Sequence, residues 1–75
     1  MKTNLNHILV FATNIKTKAD KDFIGNILNE DNVIQQWSVD QEDRDCVLRI
    51  VSRILSANDV IKIINILGFS CRELE

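Results

Sequence analysis

The sequence has no proline, and it contains only two glycines, two cysteines and one histidine among its 75 residues. The scarcity of glycine and proline excludes a collagen-like or low-complexity chain. Two cysteines are too few for the disulfide framework of a small secreted domain, so we expect free thiols in a reducing compartment. No apolar run approaches the ~20 residues of a transmembrane helix, and the start of the chain lacks a signal-peptide cleavage site. These absences predict a cytoplasmic protein with no membrane partner.

The composition is that of a single small globular domain spanning residues 1–75. Hydrophobic residues make up 45% of the chain and charged residues 27%, a balance that supports a folded core rather than a disordered tail. The formal net charge is −2. Because nucleic-acid binding relies on an excess of Lys and Arg over acidic residues, this charge argues against a nucleic-acid partner.

Four segments have the apolar pattern of β-strands. Residues 8–12 form a continuous apolar run, which residues 13–15 extend. The run is short and rich in β-branched and aromatic side chains, which is typical of a buried central strand. In residues 33–39, Val33, Trp37 and Val39 lie on one face, and polar residues at 35, 36 and 38 interrupt the apolar run. This pattern fits a strand at the edge of a sheet. After a charged turn, residues 46–52 and residues 69–74 indicate a third and a fourth strand.

Two segments have helical periodicity and recognisable ends. Thr17 is a candidate N-cap with Asp20 at the capping-box position, and Ser56 and Asp59 stand in the same relationship. Gly68 is the expected left-handed residue after the second helix. The apolar stripes consist of Phe23, Ile24, Ile27 and Leu28 in the first helix and of Val60, Ile63, Ile64 and Leu67 in the second.

The order strand, helix, strand, strand, helix, strand predicts an α+β fold. We expect a ferredoxin-like βαββαβ sandwich, in which a four-stranded antiparallel sheet carries both helices on one face. Right-handed crossovers give the strand order 4-1-3-2. This order places the apolar first strand in the centre and the more polar second strand at an edge, in agreement with their composition.

This arrangement resembles the heavy-metal-associated domains, which include copper chaperones, mercury-binding proteins and the N-terminal modules of metal-pumping ATPases. Residues 11–15 (Phe-Ala-Thr-Asn-Ile) are similar to the strand that leads into the metal loop of the family. Residues 34–40 are similar to its second strand. Residues 56–61 and 67–69 are similar to its second helix and to the turn that follows. The resemblance covers nearly the whole chain and implies the ferredoxin-like fold.

The resemblance does not extend to the metal ligands. In the family, two cysteines of a C-x-x-C motif follow the first strand and bind copper(I), zinc or mercury. The matching positions here are Thr17 and Asp20, and neither side chain is a soft thiolate ligand. We therefore expect no metal and no cofactor, and we expect the domain to have lost metal binding.

An alternative is a soft-metal or thiol-redox protein that uses Cys46 and Cys71. The predicted topology places both near the vacant metal loop, with Cys46 on the same face as Leu48 and Ile50. The two strands flank the central one, at ~9–10 Å, beyond the ~7 Å limit for a disulfide. Two thiols without a nearby histidine also make a poor zinc site, and free cysteines are commonly buried. These arguments favour core packing.

No catalytic arrangement can be assembled from this sequence, so we predict that the protein is not an enzyme. His7 is the lone histidine and lies at the start of the first strand, away from the metal loop, which precludes a Ser–His–Asp or Cys–His pair. Two isolated glycines make no phosphate-binding loop. A regulatory small-molecule-binding domain is a further possibility, because ferredoxin-like folds host many functions.

Trp37 is the sole tryptophan, and two roles are open for it. It either packs on the core against the first helix or anchors an interface at the sheet edge. Trp37 and Val39 lie on the same face of the predicted strand, which favours packing of Trp37 on the core. Gly25 weakens the first helix, and the close approach of a strand would explain why it is there.

Two clusters of opposite charge are expected at the same end of the domain. The basic cluster lies on the first loop and helical turn, and the acidic cluster lies on the turn between the second and third strands. They comprise Lys16, Lys18 and Lys21, and Asp40, Glu42, Asp43 and Asp45. The metal chaperones of the family that this chain resembles dock their targets through this end of the domain. The sequence therefore favours a non-catalytic interaction module that binds another protein or a second copy of itself. The simpler alternative is a solvated surface without a partner.

Overall fold

The computed structural model describes residues 7–74. Its strands and helices follow each other in the order that the sequence predicted, and the α+β class is confirmed. They are β1 (Ile8–Thr13), α1 (Lys18–Leu28), β2 (Gln36–Asp40), β3 (Val47–Val51), α2 (Ala57–Ile66) and β4 (Cys71–Glu73). Neither helix in this part of the chain has the length and apolar character needed to cross a membrane.

The four strands form one antiparallel sheet. From one edge to the other, the order is β2-β3-β1-β4, which reads β4-β1-β3-β2 from the opposite edge. β1 pairs with both β3 and β4, whereas β2 pairs with β3 alone. The continuous apolar run thus occupies the interior of the sheet, and the segment with polar interruptions occupies an edge.

The core lies between one face of the sheet and the two helices. In the strand register, Phe11 and Val39 each lie opposite Leu48, so the three side chains share a face. Helix α1 contributes Ile24 and helix α2 contributes Ile64 to the same cluster. The buried members are Phe11, Ile15, Ile24, Leu28, Val39, Leu48, Ile50, Val60 and Ile64. Since one cluster contains side chains from both helices, α1 and α2 pack on the same face of the sheet.

The predicted helix ends are confirmed. Both helices begin with a complete capping box, formed by Thr17 and Asp20 in α1 and by Ser56 and Asp59 in α2. In each box the hydroxyl accepts a hydrogen bond from the third helical N–H, and the carboxylate accepts one from the N-cap N–H. Gly68 follows α2 with φ +99°, a conformation that glycine adopts without a Cβ penalty.

The buried face of α1 differs from the predicted stripe. Ile24 and Leu28 are buried, but the side chain of Phe23 is 48% exposed. Its ring lies 6.4 Å from that of Phe69, centroid to centroid, so Phe23 covers the margin of the core. The predicted stripe spans two adjacent columns of the helix, and only the column that contains Ile24 and Leu28 points directly at the sheet.

The strands are shorter than the apolar patterns suggested. β2 begins at Gln36 because a turn precedes it, in which Ile34 N–H donates to Asp31 O over 3.1 Å. β4 begins at Cys71 because the N–H of Phe69 still bonds to α2, at Ile64 O over 3.1 Å. Cys46 precedes β3 and has φ +44°. The expectation that Cys46 belongs to the third strand is therefore wrong.

The charged loop end

Three loops meet at one end of the sheet, and we call the surface they form the loop end. It comprises residues 14–17 after β1, residues 41–46 between β2 and β3, and Ser70 before β4. The N–H of Thr13 donates to Asp45 O over 2.9 Å, and Ser70 N–H donates to Asn14 Oδ1 over 2.9 Å. These hydrogen bonds link all three loops directly or through β1, so side chains far apart in the chain share one surface.

Gln41 joins the acidic turn to the start of α1. Its Nε2 donates to Ile15 O over 3.2 Å and to Thr17 O over 2.8 Å. Both acceptors are backbone carbonyls of the 14–17 loop. One amide side chain therefore helps to hold this loop against the 41–46 turn.

Thr17 and Asp20 are engaged with each other at the start of α1. Thr17 Oγ1 accepts from Asp20 N over 3.0 Å, and Asp20 Oδ2 accepts from Thr17 N over 3.4 Å. Within residues 7–74, no three His, Cys, Asp or Glu side chains converge closely enough to hold a metal ion. Thr17 and Asp20 thus form a helix cap.

The two cysteines lie on opposite sides of β1. Thr13 stands between them, because its hydroxyl donates to Cys46 O over 2.7 Å and its backbone lies opposite Cys71 in the β1–β4 register. Both thiols are free; Cys46 is buried and Cys71 is half-buried. Burial raises the pKa of the Cys71 thiol to about 11, so this thiol is protonated at neutral pH and is a poor nucleophile or metal ligand.

The charged residues that the sequence singled out are exposed or half-buried at or beside the loop end. Lys16 and Lys18 are exposed, and Lys21 is half-buried. In the acidic turn, Asp40 accepts from Glu42 N–H over 3.1 Å and Asp43 accepts from Asp45 N–H over 2.9 Å. These carboxylates shape the turn in which they lie. Among the described residues the single ion pair is Lys18–Asp22, at 3.1 Å within α1, so the two clusters do not neutralise each other through direct contacts.

Two cations that the sequence analysis missed complete the basic part of the surface. Arg44 and Arg72 line a groove of about 450 Å³ together with Lys16, Asn14, Asp45 and Ser70. Arg44 lies among four acids in the sequence, so the turn that contains it has a predominantly acidic composition. The alternation of β4 places Arg72 on the opposite face from Cys71. No sequence signal indicated that the start of β4 is hydrogen-bonded to Asn14.

Two other singled-out residues lie away from this groove. Trp37 is half-buried and packs against the core cluster, and its Nε1 donates to Asn29 Oδ1 over 2.7 Å, as the core interpretation expects. His7 is exposed, and its carbonyl accepts from Ser52 N–H over 2.9 Å just after β3. This is the opposite end of β1 from the loop end, so His7 does not contribute to the candidate site.

No protein-family model, curated protein or solved structure matches this chain. The resemblance to heavy-metal-associated domains stays a prediction from residues 11–15, 34–40, 56–61 and 67–69.

Proposed function

We propose that this protein is a non-catalytic interaction module with a ferredoxin-like fold, related to heavy-metal-associated domains but without their metal. In this proposal it docks another protein, or a second copy of itself, through the loop end. The observation that carries the proposal is the capping box of Thr17 and Asp20, which stands at the spacing where that family has its two metal-binding cysteines.

The rigidity of the loop end supports a docking role. Gln41 holds the 14–17 loop through two carbonyls, and the Asn14–Ser70 hydrogen bond fixes the start of β4. A surface that is ordered before binding loses little conformational entropy when a partner arrives.

The distribution of charge supports a protein partner. Lys16 on the first loop and Glu42 on the acidic turn are both exposed at the same end of the domain, and neither has an ion-pair partner in the described chain. Charges of both signs on one surface direct association and select orientation when the partner carries the complementary pattern. We assign the seven residues of the two clusters to partner binding: Lys16, Lys18, Lys21, Asp40, Glu42, Asp43 and Asp45.

The absence of metal chemistry is tested by native mass spectrometry of the fully reduced protein with and without copper(I) and zinc. We expect neither metal to be retained in stoichiometric amount, because Thr17 and Asp20 provide no thiolate. One metal ion retained per chain would overturn the proposal and would direct attention to Cys46 and Cys71. The same spectrum reports whether the protein forms dimers.

The docking surface is tested by charge reversal. We expect the double variant Lys16→Glu/Lys18→Glu to lose proteins that the wild type captures from its source cells in quantitative affinity experiments. Arg53→Glu is the matched control, since Arg53 is exposed beyond β3 and away from the loop end. An identical set of captured proteins for the wild type and both variants would contradict docking at the loop end.

A further inference from the structure

We propose that the groove of the loop end binds an acidic peptide segment of the partner. The inference rests on the proposed function and names the chemistry that the docking surface recognises. The groove lies where Lys16, Arg44 and Arg72 converge, and Asn14, Ser70 and Asp45 provide its polar walls.

Three separate segments of the chain bring the cations together. Lys16 comes from the loop before α1, Arg44 from the acidic turn and Arg72 from β4. The Thr13–Asp45 backbone hydrogen bond positions the segment that carries Arg44, and the Asn14–Ser70 hydrogen bond positions the segment that carries Arg72. The convergence is thus a property of the fold and not of one flexible loop.

The charges that line the groove favour an anion. Three cations and one carboxylate, Asp45, leave an excess of two positive charges along the lining. None of the three cations forms an ion pair within the described residues, and all three side chains are exposed. Their hydrogen-bond donors are therefore available to an incoming ligand.

The chemistry of the side chains that line the groove favours a peptide that carries carboxylates. The planar forks of Arg44 and Arg72 match the geometry of carboxylate oxygens and bind them in a bidentate manner. The Asp45 carboxylate is a hydrogen-bond acceptor in the lining, and the backbone N–H groups of a peptide are donors of the complementary kind. The neighbouring acids Asp40, Glu42 and Asp43 repel a long polyanion such as a nucleic acid, whereas a short acidic segment needs to contact only the cations of the groove.

The experiment titrates the 75-residue chain with a short synthetic peptide in which Glu alternates with Ser. Amide chemical shifts in nuclear magnetic resonance spectra report binding residue by residue. We expect the largest shifts at Asn14, Arg44 and Arg72, and no saturable shifts with the control peptide in which Gln replaces Glu. Arg44→Gln and Arg72→Gln should each weaken binding about tenfold, since each removes a charge-assisted hydrogen bond, while Arg53→Gln should leave it unchanged.

Several outcomes would overturn the proposal. They are equal binding of the Gln peptide, unchanged affinity in both Arg44→Gln and Arg72→Gln, and shifts centred away from the groove. Titration with inorganic phosphate separates a small-ion site from a peptide site: saturation of the same amides at lower concentration than with the peptide would also overturn it. If the peptide fails but charge reversal at Lys16 and Lys18 still removes captured partners, docking at the loop end stands and the groove assignment is wrong.

Discussion

The indole ring of Trp37 fills the space in which the residue at position 25 would carry a side chain. A Cβ atom placed on Gly25 would lie 2.8 Å from Cζ2 of Trp37 and 3.0 Å from its Cη2, which is closer than carbon atoms approach without strain. The ring is held in place by its 2.7 Å hydrogen bond to Asn29. Gly25 is thus explained by the close approach of an edge strand to α1, and not by an unusual backbone conformation.

Gly25→Ala should destabilise the protein although alanine is the better helix former. The gain in helix propensity is up to ~1 kcal/mol, whereas overpacking against a fixed ring costs about 1–3 kcal/mol, so we expect a net loss of about 1 kcal/mol. Urea unfolding followed by circular dichroism measures it. In a Trp37→Leu background the same substitution should become neutral or stabilising, and an equal effect in both backgrounds would show that the ring is not the cause.

Thr13→Val should weaken the junction between β1 and the acidic turn. The buried Thr13 hydroxyl donates to Cys46 O over 2.7 Å and accepts from Ile15 N–H over 3.2 Å. Its removal leaves both backbone groups without this partner, and an unsatisfied buried group costs about 1–3 kcal/mol. Thr13→Ser is the control, because it keeps the hydroxyl and removes only a methyl group. Equal losses of unfolding free energy in the two variants would mean that packing, and not hydrogen bonding, determines the effect.

Ser56→Ala should lower the unfolding free energy by about 1 kcal/mol through loss of the cap of α2. The Ser56 hydroxyl accepts the N–H of Asp59 over 3.2 Å, and alanine has no acceptor for that group. Denaturant unfolding of the wild type, Ser56→Ala and Ser56→Thr provides the comparison. We expect threonine to retain most of the stability, and a neutral alanine variant would contradict the capping role.

The carboxylate of Asp59 should contribute stability that is lost in acid. Hydrogen bonds from the backbone N–H and the side chain of Ser56 hold the pKa of Asp59 below its usual value of 3.8. A depressed folded-state pKa stabilises the protein above the unfolded pKa, and this contribution disappears as the pH falls through the folded value. The stability difference between the wild type and Asp59→Asn should therefore be constant near neutral pH and shrink below pH 3.8. A difference that does not change with pH would contradict this assignment.

Cys71 should react slowly with thiol reagents in the folded protein. Burial raises its pKa from 9.0 to about 11, which reduces the thiolate fraction at neutral pH about 100-fold. Labelling of Cys46→Ala, in which Cys71 is the remaining cysteine, should be slower by about that factor in buffer than in concentrated urea. Rapid labelling of the folded variant would instead favour the thiol-redox alternative.

The features that the sequence predicted correctly are those with local physical causes. A capping box needs only residues three positions apart, so Thr17 with Asp20 and Ser56 with Asp59 could be identified without knowledge of the fold. The left-handed Gly68 is equally local. The interior position of β1 was also predictable, because a continuous apolar run is typical of an interior strand, and β1 pairs with a neighbour on each side.

The features that the sequence did not predict depend on contacts between distant segments. The exposure of Phe23 is determined by which column of α1 faces the sheet, and adjacent apolar columns look equivalent in the sequence. The left-handed conformation of Cys46 has no signal in its side chain, since glycine and asparagine are the usual residues there. The groove cations Arg44 and Arg72 come together through hydrogen bonds of Thr13 and Asn14 that join loops distant in sequence.

The capping box of α1 also constrains how the chain can evolve. A C-x-x-C motif at this loop would need cysteine in place of Thr17 and Asp20, and each of these residues supplies one half of the cap. The first substitution toward cysteine would break the reciprocal pair while a single thiol still held no metal. Such an intermediate would lose about 1 kcal/mol of cap stability with no metal to compensate for it. A thiolate site at this loop is therefore reached only through a variant that is less stable than the present chain, and the cap opposes that change.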